Sequence, residues 1–329
     1  MEKETDFKGL FRLFTRSLFI SIIGMIFPFF YVLFPSMFVV ESVKEGIFKV
    51  MATLALLVLL IGALAGPIVA IVIFTIFGPF ILIFHYMIIT DRSVSMTILA
   101  TSLIFFISIM VLFFAFGINA DVLNSSETIN KLINFYTNFA SEAGLNDVDL
   151  ALFSENAKIY YKKFLQILPS VLVISSVVIS YITYTTAGRT LITKGKFIRQ
   201  PSSLEFLKLP KEVIILSIVT VAIFSLTGDY FGPSGQVFII NLMNVIFFML
   251  FASGIAVIKF YMTRSNLKSF LQFLIIALCL TISSLQIFVM IIGALDQIVN
   301  FRKINWVRIL WKIILKLVIF FHILFLLFA

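Results

Sequence analysis

An all-α, polytopic transmembrane bundle is expected from this chain on three grounds. It is 61% hydrophobic, carries 40 phenylalanines among 329 residues and has a mean hydropathy of +1.14, more apolar surface than a water-soluble core can hide. Its apolar residues come in runs of about 20, the helix length that crosses a hydrocarbon layer roughly 30 Å thick. Its charged residues, only 12% of the chain, gather in a few connections between those runs.

Eight runs read as spans: 17–40, 50–64, 67–89, 95–117, 167–187, 212–227, 237–260 and 268–295. A ninth, 313–329, follows Arg308, Lys312 and Lys316, which at i, i+4 and i+8 form one basic stripe suited to lipid headgroups. That segment either inserts or lies along the surface, and insertion is favoured because Leu317 onward is apolar on all sides. Four basic residues, Lys3, Lys8, Arg12 and Arg16, precede the first run, and no small-residue cleavage site follows it, so a retained helix is expected rather than a removed leader. The chain thus divides into N-terminal spans (1–117), an insertion (118–166), C-terminal spans (167–302) and a basic, aromatic anchoring segment (303–329) that holds Trp306 and Trp311.

Two connections orient the bundle. Residues 188–211 carry six basic side chains against Glu205 alone, which places that loop in the cytoplasm by the positive-inside rule. Residues 118–166 carry six acids against four bases and should face outward. Within them Ile129, Leu132, Ile133, Tyr136, Phe139 and Ala140 recur at helical spacing before Gly144. Asn146, Asp147 and Asp149 offer caps for a second amphipathic helix ending near Gln166. Single crossings throughout would leave the basic N-terminus outside, so one early run cannot cross simply. Either 17–40, broken by Pro28 and Pro35, or the junction at Gly62 to Pro67 is the exception.

Polar groups inside an apolar layer are costly and mark candidate sites. Asp229 and Tyr230 stand in the Gly- and Pro-rich break at 227–236, where they could line a ligand cavity, an ordinary exposed hairpin being the plainer reading. Asn241 and Asn244 follow at helical spacing and either join such a cavity or bond to a neighbouring helix. Asp296 and Arg302 are placed to form an ion pair at the membrane edge, with a structural clamp as the plainer role. His85 and His322 have no second ligand at metal spacing, Cys279 has no partner, and no HExxH, GxSxG or P-loop occurs. Paired carboxylates and an activated nucleophile are lacking too, so neither a cofactor nor catalysis is expected. Gly62 with Gly66, and Ser253, Gly254 and Ala256, read as small-residue packing sites. The net charge of +9 lies beside apolar runs, which suits anionic headgroups and not nucleic acid.

The order of short motifs in the C-terminal half is also telling. Leu168-Pro169, Ala187-Gly188-Arg189 with Lys194-Gly195, Leu209-Pro210, Asn241-Leu242 through Gly254 to Ile258, and Gly293 to Asp296 with Asn300-Phe301-Arg302 occur in turn. Over 168–302 this order resembles the YybS-like family of bacterial membrane proteins. The family has no assigned reaction, and its topology is similar to that of the substrate-capturing membrane subunits of energy-coupling-factor vitamin importers. The resemblance therefore implies a multi-pass protein of the bacterial cytoplasmic (inner) membrane that binds a small solute in a transport role. The alternative is a structural or regulatory protein that docks a partner through its outward helices or basic loop. The long insertion and the extension past 303 depart from the family's pattern.

Overall fold

The computed structural model describes residues 7–303 except 143, 145, 197, 200, 202, 208, 210 and 228–231. Twelve α-helices and no strand occur among the described residues. They are α1 (Phe7–Ile26), α2 (Phe34–Glu45), α3 (Ile47–Ala65), α4 (Pro67–Ile89), α5 (Val94–Ala115), α6 (Ala120–Asn124), α7 (Ser126–Glu142), α8 (Asp147–Thr193), α9 (Lys211–Thr227), α10 (Gly232–Arg264), α11 (Ser269–Thr281) and α12 (Ser283–Val299). The chain divides into two compact units, one of Met1–Asp91 and Ala100–Lys196, the other of Arg92–Leu99 and Phe197–Ala329. The anchoring segment beyond 303, with Arg308, Lys312, Lys316 and the ninth run, lies outside the described residues.

Six helices are long and apolar enough to cross a membrane, and seven spans result if the bent pair α11–α12 counts as one. The protein is therefore an all-α polytopic bundle, with fewer crossings among the described residues than the eight runs suggested. The shortfall is α9, whose 17 residues reach only about 26 Å.

The expected span over 17–40 is corrected. Its helix starts ten residues earlier, at Phe7, and ends at Ile26, and Pro28 opens a 3₁₀ turn over Pro28–Val32 before α2. Proline lacks the N–H that would continue the ladder. The turn folds back on α1, where the Tyr31 hydroxyl donates to the Ser21 carbonyl at 3.2 Å and the ring lies over Gly24, so close that a Cβ there would come within 2.8 Å of it. At 12 residues α2 is too short to cross alone.

In the first unit rings fill the core. Phe34 packs on Phe38 and Phe77, Phe80 on Phe84 and Phe105, and Phe84 on Tyr184, with centroids 4.8–5.9 Å apart. Phe34, Phe38, Phe80 and Phe84 are wholly buried. On α3, Val50, Leu54, Leu57, Val58 and Ile61 form the inward stripe. The Gly62/Gly66 pair is not one packing motif. Gly62 faces Ala70, whereas Gly66 has nothing near it and adopts φ +99, a backbone state that turns α3 into α4 and that a side chain would strain.

The insertion also differs from expectation. Asn146 caps the second helix through its side-chain oxygen, which accepts from the Asp149 N–H at 2.9 Å. That helix does not stop near Gln166 but continues through Pro169 to Thr193, 47 residues in one element. Nothing between 160 and 168 breaks it, and an interior proline is tolerated where neighbouring groups satisfy the freed carbonyl. On α7, Ile129, Ile133 and Ala140 are buried as the period predicts, but Tyr136 and Phe139 stay exposed.

The second unit is built on the crossing of α10 and α12. A Cβ on Gly254 would collide with the Val289 carbonyl oxygen, and one on Gly293 with that of Leu250, so the two backbones touch. Ile255, Val289 and Cys279 form the core beside that contact. The expected single run 268–295 is broken at Ile282, where α11 and α12 meet at 105°. The Gln286 amide turns back to donate to the Leu280 carbonyl at 2.7 Å, supplying a partner that the interrupted helix lacks.

Candidate functional site

Two polar clusters and one groove are the features that packing alone does not require. The first cluster lies in the first unit, at the C-terminal end of α2. Glu41 pairs with Lys44 at 2.9 Å and with Lys194, just past α8, at 3.0 Å. Lys196 donates to the Val43 carbonyl beside them. Carbonyls at a helix C-terminus carry partial negative charge, so two lysines from the basic connection are held there by both charge and dipole. Burial pushes the Glu41 carboxyl up, but the hydrogen bonds and charges of Lys44 and Lys194 outweigh it and hold it below the usual glutamate range. The next residue of α2, Ser42, donates its hydroxyl proton to the Val39 carbonyl at 2.8 Å, so its oxygen accepts from His85 Nδ1–H at 3.0 Å. His85 is thereby fixed by a serine.

The second cluster is buried. Asp296 and Arg302 meet at 2.7 Å with both side chains wholly inaccessible. Arg302 directs Nε and Nη2 at the same oxygen, Asp296 Oδ2, and also donates from Nη1 to the Glu205 carbonyl at 2.7 Å and from Nη2 to the Leu207 carbonyl at 2.8 Å. It thus ties the end of the basic connection to α12. Asp296 Oδ1 has no hydrogen-bond partner among the described residues, and neither has Gln297 Oε1, although Gln297 Nε2 donates to Ser253 Oγ at 2.6 Å. A left-handed residue at the C-cap of α12, Asn300 with φ 54, turns the chain so that Arg302 can reach back.

Beside this pair runs an open groove of about 670 Å³ along α10 and α12. Val257, Ile258, Tyr261 and Met262 line it from α10 and Ser265 from the turn just past that helix, at spacings that continue one helical stripe. Ile292, one turn before Asp296, and Phe301, next to Arg302, close its other side. The Tyr261 hydroxyl donates to the Phe301 carbonyl at 3.2 Å and ties the two sides together.

Residues 11–297 match the model of a family described as predicted membrane protein (DUF2232). The chain belongs to this DUF2232 family. The match takes in α10, most of α12 and Asp296, and stops short of Arg302. No curated protein and no solved structure matches the chain.

In this DUF2232 member only two of the four residues expected to hold a ligand, Asn241 and Asn244, are among the described residues. Asp229 and Tyr230 lie outside them. Asn241 donates to the Val237 carbonyl of its own helix at 2.8 Å, and neither it nor Asn244 lines the groove. Sequence reading missed the Glu41 cluster, because Glu41 and Lys194 are 153 positions apart and neither sits inside an apolar run. It also missed Gln297, although a glutamine next to an intramembrane aspartate was a signal within reach. The groove had a trace in the sequence only as the stripe Val257, Tyr261, Ser265, which reads like any other apolar face.

Proposed function

We propose that the protein is a transport-related membrane subunit, working by binding and not by catalysis, that holds a small and largely apolar solute in the groove between α10 and α12. The observation that carries this reading is the groove itself. Its volume of about 670 Å³ lies within the range of roughly 300–1,000 Å³ usual for small-molecule sites, and its lining is apolar with hydroxyls at one end. The buried ion pair beside it is a second support, since ionisable groups in membrane helices gather at functional sites. The resemblance to the YybS-like proteins, and through them to importer substrate-capture subunits, agrees by analogy of topology. In purified full-length protein, a panel of small amphiphiles should contain one class that raises the melting temperature as a bound ligand must. Ser265→Trp, at the exposed turn just past α10, should block the groove and cancel that rise. A panel with no stabilising member, or a rise that survives Ser265→Trp, would remove the groove from consideration.

The orientation we propose puts residues 188–211 in the cytoplasm of a bacterial inner membrane and α7 outside it. A cysteine at Asn146 in a Cys279→Ser background should then react with an impermeant maleimide in intact cells, and one at Ser203 should not. The opposite labelling inverts the assignment.

A second reading has its own observation. Phe135, Tyr136 and Phe139 stand exposed on α7, at 68%, 50% and 69%, in the connection assigned above to the outer face. Such rings in water suit a protein partner. Replacing Phe135 and Phe139 with serine should leave a folded protein and dissolve any larger native complex. An unchanged complex would set this reading aside.

A further inference from the structure

We infer that the helical hairpin formed by α7 and residues 147–166 of α8 pairs with the same hairpin of a second copy of this chain; this rests on the protein-docking reading of α7 given above. The two helices run antiparallel, joined by the short connection from Glu142 to Asp147 and tied near its other end by the Tyr161 hydroxyl, which donates to the Leu123 carbonyl at 3.1 Å. Ile129, Ile133 and Ala140 form the buried stripe of α7, and Leu150, Ser154, Ala157, Tyr161 and Leu165 the half-buried stripe of α8. A helix advances about 100° per residue, so the positions flanking each stripe follow from the numbering. On α7, Phe135, Tyr136 and Phe139 fall to one side of the stripe and Asn130, Asn134 and Ser141 to the other. On α8, Phe153, Tyr160 and Phe164 fall in the same rotational sense from their stripe, and Lys158 and Lys162 in the opposite sense. In antiparallel helices an equal sense means a shared face. The rings of both helices therefore line one side of the hairpin, and amides and lysines line the other.

On α8 too the rings are open, Phe153, Tyr160 and Phe164 being 38%, 69% and 46% exposed. At roughly 200 Å² per aromatic side chain, the rings of the two helices leave about 700 Å² uncovered, close to the roughly 800 Å² that each partner gives to a standard interface. The bilayer does not reach most of that surface. The charge-free part of α8 starts after Lys163, and Phe153 precedes it by about 15 Å of helix. Phe139, beside the start of α8, stands further out still. A second copy meets the geometry, because two chains crossing one membrane in the same sense hold this face at the same height. A two-fold axis along the membrane normal then sets α7 of each copy against α8 of the other and closes the contact. No charged residue stands among the rings to repel its image, and homodimer contacts are the more apolar class of interface.

The test uses the full-length protein in its native membranes, in a Cys279→Ser background, with a bifunctional maleimide. Phe139→Cys, at the centre of the ring face, should cross-link to a product of twice the chain mass, and Asn134→Cys, on the polar face, should not. Adding Phe153→Ser and Tyr160→Ser to Phe139→Cys should cut the yield about tenfold or more, the effect of truncating two aromatic anchors, whereas adding Lys158→Ser should leave it unchanged. These side chains are exposed, so the fold survives their loss. Equal cross-linking of the two thiols, or a yield untouched by the α8 changes, overturns the pairing. A product of some other mass removes the second copy and leaves the protein-docking reading of α7 in place. A thiol at 139 that forms no product yet reacts with a water-soluble maleimide marks an uncovered face and removes both. One that reacts with neither reagent lies in lipid, which also removes both.

Discussion

The first unit packs by filling space with rings, and the second by leaving side chains out. Around Phe34, Phe77, Phe80, Phe84 and Phe105 the helices of the first unit are held apart at aromatic distance. In the second, Gly254 and Gly293 let the backbones of α10 and α12 touch. In lipid both arrangements gain from van der Waals contact, because the hydrophobic drive between helices is weak there. They differ in tolerance. A ring core can repack around a lost methyl group, whereas a backbone contact has no side chain to move.

The polar clusters differ in the same sense. Each ties one end of the basic connection, Lys194 and Lys196 to α2 in the first unit, Glu205 and Leu207 to α12 through Arg302 in the second. The Glu41 cluster is partly open to solvent, with Lys194 at 38% exposure, while the Asp296–Arg302 pair is closed completely. Screening makes the first worth little, and desolvation makes the second dangerous to break.

Breaking the buried pair should give the largest effect. Arg302→Met leaves Asp296 charged and alone and should cost about 3–5 kcal/mol in detergent unfolding. Adding Asp296→Leu removes the stranded charge and should restore most of that loss. A double variant no better than the single would mean that the two carbonyl bonds of Arg302, not its charge pairing, hold α12.

Next comes the helix crossing. Gly293→Ala should destabilise by about 1–3 kcal/mol or more, because the Leu250 carbonyl oxygen stands in the way. Gly62→Ala is the control from the first unit, where the added carbon would meet the Ala70 Cβ at 3.0 Å, a clash that a far smaller helix shift relieves than the 2.0 Å approach at Gly293. Its cost should be smaller in the same melt. Equal costs would erase the contrast between the units.

The smallest effect belongs to the open cluster. Glu41→Gln should cost less than about 1 kcal/mol at neutral pH. Because the Glu41 pKa is lowered by folding, its contribution is present above the ordinary glutamate value of about 4.3 and is lost as pH falls through the lower folded value. Melting curves of native protein and Glu41→Gln should therefore differ at pH 7 and converge in acid. A gap that stays constant with pH would assign the role to packing instead of charge.

How much of this was legible beforehand varies by element. α3, α4 and α5 match their expected runs within a few residues, since a uniformly apolar segment bounded by Gly, Pro or charge has no other stable state in lipid. The Asn146 cap was equally plain, because capping is a local hydrogen bond. The continuity of α8 was not, since a change from amphipathic to apolar pattern marks a change of solvent and need not mark the end of a helix. The break at Ile282 carries no proline or glycine, so composition offered no warning of it.

Hydropathy and charge were enough to establish a polytopic helical protein, the uneven charge of its two long connections and the proximity of Asp296 to Arg302, because each depends on composition within a short stretch. The burial of that pair, the attachment of Glu205, Leu207, Lys194 and Lys196, and the groove along α10 and α12 came from packing. They join residues from about 40 to more than 150 positions apart, and such contacts exist only once helices have been placed against one another. A helix records in its own pattern that one face is buried, but not which carbonyl, ring or cation will meet it there.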